Sequence, residues 1–253
     1  KAPFEAEFPL RSTGTAKMIN NNKWDVTSKR EITADPLTMS ITAENVQDVP
    51  GVIQQGDVVT QTGIKQNITY VLYEAAYPDG DLIYYIDHGT APRLAKLIRF
   101  TVKPTTLDYS FVISIDKPHT ISFTNNTLSI HTTDPSRGIG FKNFMLWDSY
   151  LPPTLKDTRA MEEILIDFTE LAPNQYRLIK HLPSSFFDKS LTYPVYTDTT
   201  STFYPDPDVE VTSVDGTVAH VYSLGNGVDF STVVAAAGTT AYDNRDLPGD
   251  NCA

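Results

Sequence analysis

The sequence predicts an all-β fold, an antiparallel β-sandwich or jelly roll with extended termini, on three observations. Short segments of alternating apolar and polar residues recur through the first 200 positions, separated by Gly, Pro, Asn and Asp at the roughly 8–12-residue spacing of an all-β domain. The chain carries 13 Tyr and 12 Phe, side chains suited to pleated, half-buried surfaces. Helical periodicity is scarce.

In chain order, Phe4, Ala6 and Phe8 alternate within a stretch that also holds Pro3, Pro9, Leu10 and Gly14. That pattern predicts an N-terminal arm over 1–20, anchored by Phe4, Phe8 and Leu10 and able to add a strand to a neighbour's sheet edge. Residues 67–73 and 81–86 read as a hairpin about Pro78-Asp79-Gly80, where Pro presets φ and Gly tolerates positive φ. Residues 97–102 and 109–115 read as strands, with Tyr109, Phe111, Ile113 and Ile115 on one core face.

The strictest alternation lies at 120–123 and 128–131, about Asn125-Asn126. Pairing there sets Phe123 opposite Leu128 and Ile121 opposite Ile130, predicting one buried apolar face of four residues. His119 and His131 then fall on opposite faces and cannot share a metal. Residues 158–163 open a helical turn, 164–168 and 176–180 form a third hairpin about 172–175, and 184–189 form a single turn. From Thr197 the composition shifts to Thr, Asp, Pro, Gly and Ala. The predicted organisation is an arm (1–20), a sandwich domain (21–196) and a C-terminal β extension or start of a further small domain (197–253).

Net charge is −11, which repels phosphate backbones and disfavours nucleic-acid binding. Arg93, Lys96 and Arg99 are the closest basic cluster and read as solvated side chains on one element. No apolar run is long enough to span a bilayer as a helix. Cys252 is the only cysteine, so no intramolecular disulfide forms. The chain begins at Lys1 without an initiating Met, which suggests processing.

Signatures of nucleophilic catalysis, zinc binding and phosphate-cradling loops are absent. Asp79 and Asp81, and separately Asp206, Asp208 and Glu210, concentrate oxygen ligands in turn-prone stretches and are candidate calcium ligands. Trp24, Trp147, Tyr84, Tyr85, Tyr193, Tyr196 and Tyr204 are candidates for stacking on sugar rings. Asn67 and Asn125 begin N-glycosylation triplets.

Tyr176-Arg177-Leu178-Ile179-Lys180-His181-Leu182-Pro183-Ser184-Ser185-Phe186-Phe187, followed by Thr192-Tyr193-Pro194-Val195-Tyr196-Thr197-Asp198-Thr199-Thr200, resembles a segment of large β-rich surface and virion-associated proteins of bacteria and their phages. There the phrase closes one β-domain and leads into the next. The resemblance implies an extracellular or particle-surface protein and carries no catalytic residue. The resulting expectation is a structural or assembly protein, a protomer of a filament, virion or surface layer whose partners are copies of itself or other particle proteins. The alternatives are a carbohydrate-binding or adhesive module, and a polysaccharide-active enzyme on a jelly roll.

Overall fold

The structure, a computed structural model, describes residues 4–25, 30–61, 63–87, 93–124, 127–134, 137–151 and 159–204, with four short strands beyond; residues 22–25, 30–31, 142–143 and those from 199 on are described as backbone alone. In chain order the strands are β1 (Glu5–Glu7), β2 (Thr15–Asp25), β3 (Arg30–Ala43), β4 (Val52–Val59), β5 (Lys65–Tyr77), β6 (Gly80–Asp87), β7 (Arg93–Phe100) and β8 (Asp108–Ile115). They continue as β9 (His119–Thr124), β10 (Thr127–Thr132), β11 (Gly138–Trp147), β12 (Met161–Glu163), β13 (Leu165–Ala172), β14 (Gln175–His181) and β15 (Val195–Tyr204). Beyond these, β16 (Val211–Val214) pairs with β17 (Ala219–Tyr222), and β18 (Val233–Val234) with β19 (Ala241–Tyr242). Among the described residues the one helical element is a 3-10 turn, Ser184–Asp188.

Two antiparallel sheets make the sandwich. One has six strands in the order β1-β2-β3-β8-β14-β13; the other has nine, running β4-β5-β6-β7-β15-β11-β10-β9 with β12 beside β11. Consecutive β7 and β8 enter different sheets, through a connection holding Pro104. Their inward rings meet in the core, Phe100 lying 5.4 Å from Tyr109. The apolar interior draws on both sheets, including Phe111, Phe141 and Phe144. The strand order is built largely of hairpins between consecutive strands and does not establish a jelly roll.

All three hairpins read from the sequence form. β5 and β6 close at Tyr77↔Gly80. Gly80 is needed there for space: a Cβ would meet the Phe100 ring at 3.0 Å. Positive φ falls instead on Ala75, at 51°, in the bulge between Tyr73 and Tyr77. β13 and β14 turn about Pro173-Asn174, with Asn174 at φ 63°. β9 and β10 pair as Phe123↔Leu128 and Ile121↔Ile130; the Asn125-Asn126 turn lies outside the described residues. Tyr109, Phe111, Ile113 and Ile115 are all buried.

Several expectations are corrected. The 1–20 stretch is not a free arm: β1 pairs with β2 of its own sheet, Phe4 is 7% exposed in the core, and Phe8 stacks on Tyr84 at 5.9 Å. Leu10 alone among the three anchors is exposed, at 88%. The alternation that suited a neighbour's edge is satisfied by the chain's own edge. The boundaries at 20/21 and 196/197 fall inside β2 and β15, and β15 lies in the middle of the larger sheet, hydrogen-bonded to β7 and β11. Met161–Glu163 is a strand, held by β11, and not a helical turn. Phe123 is 45% exposed while its partner Leu128 is fully buried, because β9 is the last strand and only β10 flanks it.

Candidate functional site

The acidic turn at 79–81 is spent on the fold. Asp79 accepts the Thr105 N–H at 2.7 Å and the Thr105 hydroxyl, and these bonds hold its carboxyl below the usual range. Asp81 accepts the Ala75 N–H at 2.8 Å and the Arg99 guanidinium at 2.9 Å, fastening the bulge to β6 and β6 to β7. Among the described residues no three His, Cys, Asp or Glu side chains gather as a metal site. The two candidate calcium ligands Asp79 and Asp81 thus each bond to neighbouring strands and loops of the fold. Asp206, Asp208 and Glu210 lie outside the described residues.

The basic trio is not solvated either. β7 places Arg93 and Arg99 on its outer face, each on an aspartate of β6: Arg93 on Asp87 and Arg99 on Asp81, both at 2.9 Å. Lys96 shares parity with Leu94, Ile98 and Phe100 and points into the core, 1% exposed. Its Nζ lies 3.6 Å above the Phe111 ring and has no hydrogen-bond partner. From the facing sheet Lys180 is buried completely and donates to Thr197 Oγ1 at 3.2 Å. Burial pushes both amines down, Lys180 to about 7, while Asp198 opposes the shift. Sequence reasoning missed this pair, although the signal was present: each lysine alternates in phase with its strand's core residues.

The free edges differ in charge. β1 carries Glu5 and Glu7, β4 Asp57, β12 Glu162 and Glu163, and β13 Asp167 and Glu170. β9, reading His119-Thr120-Ile121-Ser122-Phe123-Thr124, carries no Asp, Glu, Lys or Arg. His119 is engaged inward, on the Tyr176 hydroxyl at 2.8 Å and the Lys117 carbonyl at 2.7 Å. His131 pairs with Thr120, on the face opposite His119 as the register requires.

On the outer face of the larger sheet a second apolar cluster gathers Tyr70, Tyr85, Leu97, Trp147 and Tyr196. It is covered because the β4–β5 hairpin outruns β6. The β5–β6 ladder ends at Val71↔Tyr84, whereas β5 pairs with β4 down to Lys65. The overhang arches over the sheet and is pinned by Trp147 Nε1–H donating to the Val59 carbonyl at 2.8 Å and by Arg159 on the Thr60 carbonyl at 2.7 Å. Under the arch lies a cleft of about 460 Å³, lined by Tyr85, Trp147, Gln61, Gln66, Asp198 and the Asp87–Arg93 pair.

Of the candidate sugar-stacking rings, Tyr84 turns into the core and Tyr85 outward, as alternation requires. Tyr196 stacks on Trp147 at 6.0 Å, and Tyr193 packs against the main core. The side chains of Trp24 and Tyr204 lie outside the described residues. Asn67 hydrogen-bonds Asp57 and Gln55.

Fold and surface together define an all-antiparallel β-sandwich with an uncharged edge strand and an arched polar cleft. No family model, no curated protein and no solved structure matches the chain.

Proposed function

We propose that this chain is a structural or assembly module, a β-sandwich protomer of an extracellular filament, virion or surface layer, joined to a second copy through β9. The observation that supports this reading is the chemistry of the β9 edge. Natural sheets guard exposed edges with charge, Pro or bulges. β9 has none of these within its six residues and leaves Phe123 45% exposed. A chain of net charge −11 repels its own copy over most of its surface. β9 is the edge where close approach meets no like charge. Antiparallel pairing about a two-fold axis at Ile121 sets Phe123 of each copy opposite His119 of the other and extends the larger sheet across the joint. The resulting dimer is the unit from which a layer or particle grows.

Light scattering across a dilution series tests the joint. The native chain dimerises, and Phe123→Lys and Ser122→Lys are folded monomers. Thr169→Lys, on the acidic β13 edge, dimerises normally. A native chain that stays monomeric at every concentration, or a Phe123→Lys dimer of native affinity, removes the reading.

A further inference from the structure

We propose that the cleft beneath the β4–β5 arch binds a neutral saccharide of one or two rings. The cleft's volume of about 460 Å³ lies within the roughly 300–1,000 Å³ of small-ligand sites. Its walls offer what a polyol needs. A sugar hydroxyl donates and accepts at once, and a carboxamide answers both. Gln61, Gln66 and Tyr85 line this space, and their carboxamides and hydroxyl make no hydrogen bond with another described residue. Tyr85 is held neutral by burial, with Asp198 and Asp87 adding to the shift, so its hydroxyl remains a donor.

The remaining walls set selectivity. Arg93 is occupied by Asp87 at 2.9 Å and is not a loose anion receptor. Asp87 and Asp198 also line the cleft, and their carboxylates disfavour an anionic sugar placed beside them. The Tyr85 and Trp147 rings give an apolar wall for the C–H face of a pyranose. The arch itself is secured by the Trp147 and Arg159 hydrogen bonds, so the walls are largely preformed. The cleft involves β5, β6, β7, β11, β12, β15 and residues Thr60 and Gln61, with no residue of β9, and is independent of the assembly reading.

Saturation-transfer NMR with methyl glycosides of glucose, mannose and galactose, and with N-acetylglucosamine, tests the site. Glucuronate serves as the acidic control. The native chain at millimolar ligand gives transfer from at least one neutral sugar and none from glucuronate. Tyr85→Phe and Gln66→Ala each weaken that binding on the order of fivefold, as loss of one hydrogen bond predicts. Both variants keep the native melting temperature within a few degrees, since neither group bonds another described residue. Absence of transfer from all four neutral sugars overturns the proposal, and so does transfer unchanged in the Tyr85→Phe, Gln66→Ala double variant. Repeating the measurement on Phe123→Lys keeps this outcome separate from that of the β9 joint.

Discussion

Lys96 of β7 and Lys180 of β14 reach the same Phe111 ring from opposite sheets, with their Nζ atoms 3.6 Å and 5.6 Å from its centroid. Two ammonium groups in one apolar interior repel each other and each lose hydration, so the fold favours their neutral forms.

The sign of the resulting pH dependence follows. The Lys180 value falls from 10.5 unfolded to about 7 folded, and Lys96 shifts in the same direction. Below about 7 both states hold the Lys180 proton and the penalty is complete; above it the folded state sheds the proton first, and stability rises with pH. The rise ends near 10, where exposed tyrosines of the unfolded chain ionise while the buried Tyr73 resists up to about 12. His181 works oppositely: burial opposes its charge, but bonds to Asp108 and Asp167 win and raise it, so its contribution is lost as pH climbs past its folded value. It is 36% exposed, and solvent screens it. Melting temperature should therefore climb between neutral and mildly alkaline pH. A flat or falling profile contradicts the buried pair.

Replacing the amines by apolar isosteres should stabilise. Lys180→Met and Lys96→Met should each gain about 1–4 kcal/mol at neutral pH and flatten the alkaline rise. Denaturant melts measure it; a loss of stability in both variants shows that the lysines have partners worth keeping.

Position separates two phenylalanines of the same type. Phe111 is fully buried, and Phe111→Ala should cost about 3–5 kcal/mol. Phe123 stands at the β9 edge, and in the monomer Phe123→Ala should cost less than about 1 kcal/mol. Urea melts at a concentration below dimerisation compare them directly.

The bulge in β5 gives a paired prediction. Ala75 holds φ 51°, a conformation glycine adopts freely, and Ala75→Gly should gain about 1 kcal/mol. Asp81→Ala frees both the Ala75 N–H and the partly buried Arg99, and should lose about 2–4 kcal/mol. Thermal melts giving the same sign for both changes would refute this account of the bulge.

Trp147→Phe keeps a ring under the arch and deletes the bond to the Val59 carbonyl. The expected cost is about 1 kcal/mol, with faster amide exchange at Val58, Val59 and Tyr70 and little change in the main core. Uniform exchange across the chain would show that the arch is not a separate unit.

The sequence by itself determined the all-β class and three of its hairpins, because period-two alternation and turn chemistry act over a few residues. Phe123↔Leu128 and Ile121↔Ile130 follow from local register alone, whereas the bulge between Glu170 and Ala172 sets Ile166 opposite Lys180. The in-phase lysines were equally legible in pattern, but their meeting was not, since Lys96 and Lys180 belong to different sheets. Tertiary structure alone decided which edges stay open, that β1 folds back onto β2, and that β15 closes against β7 and β11. It also decided that the overhanging hairpin covers Trp147 and shapes a cleft from β6, β7, β11 and β15. Alternation tells a side chain which face of its strand it takes; only the packing of distant strands determines what lies across from that face.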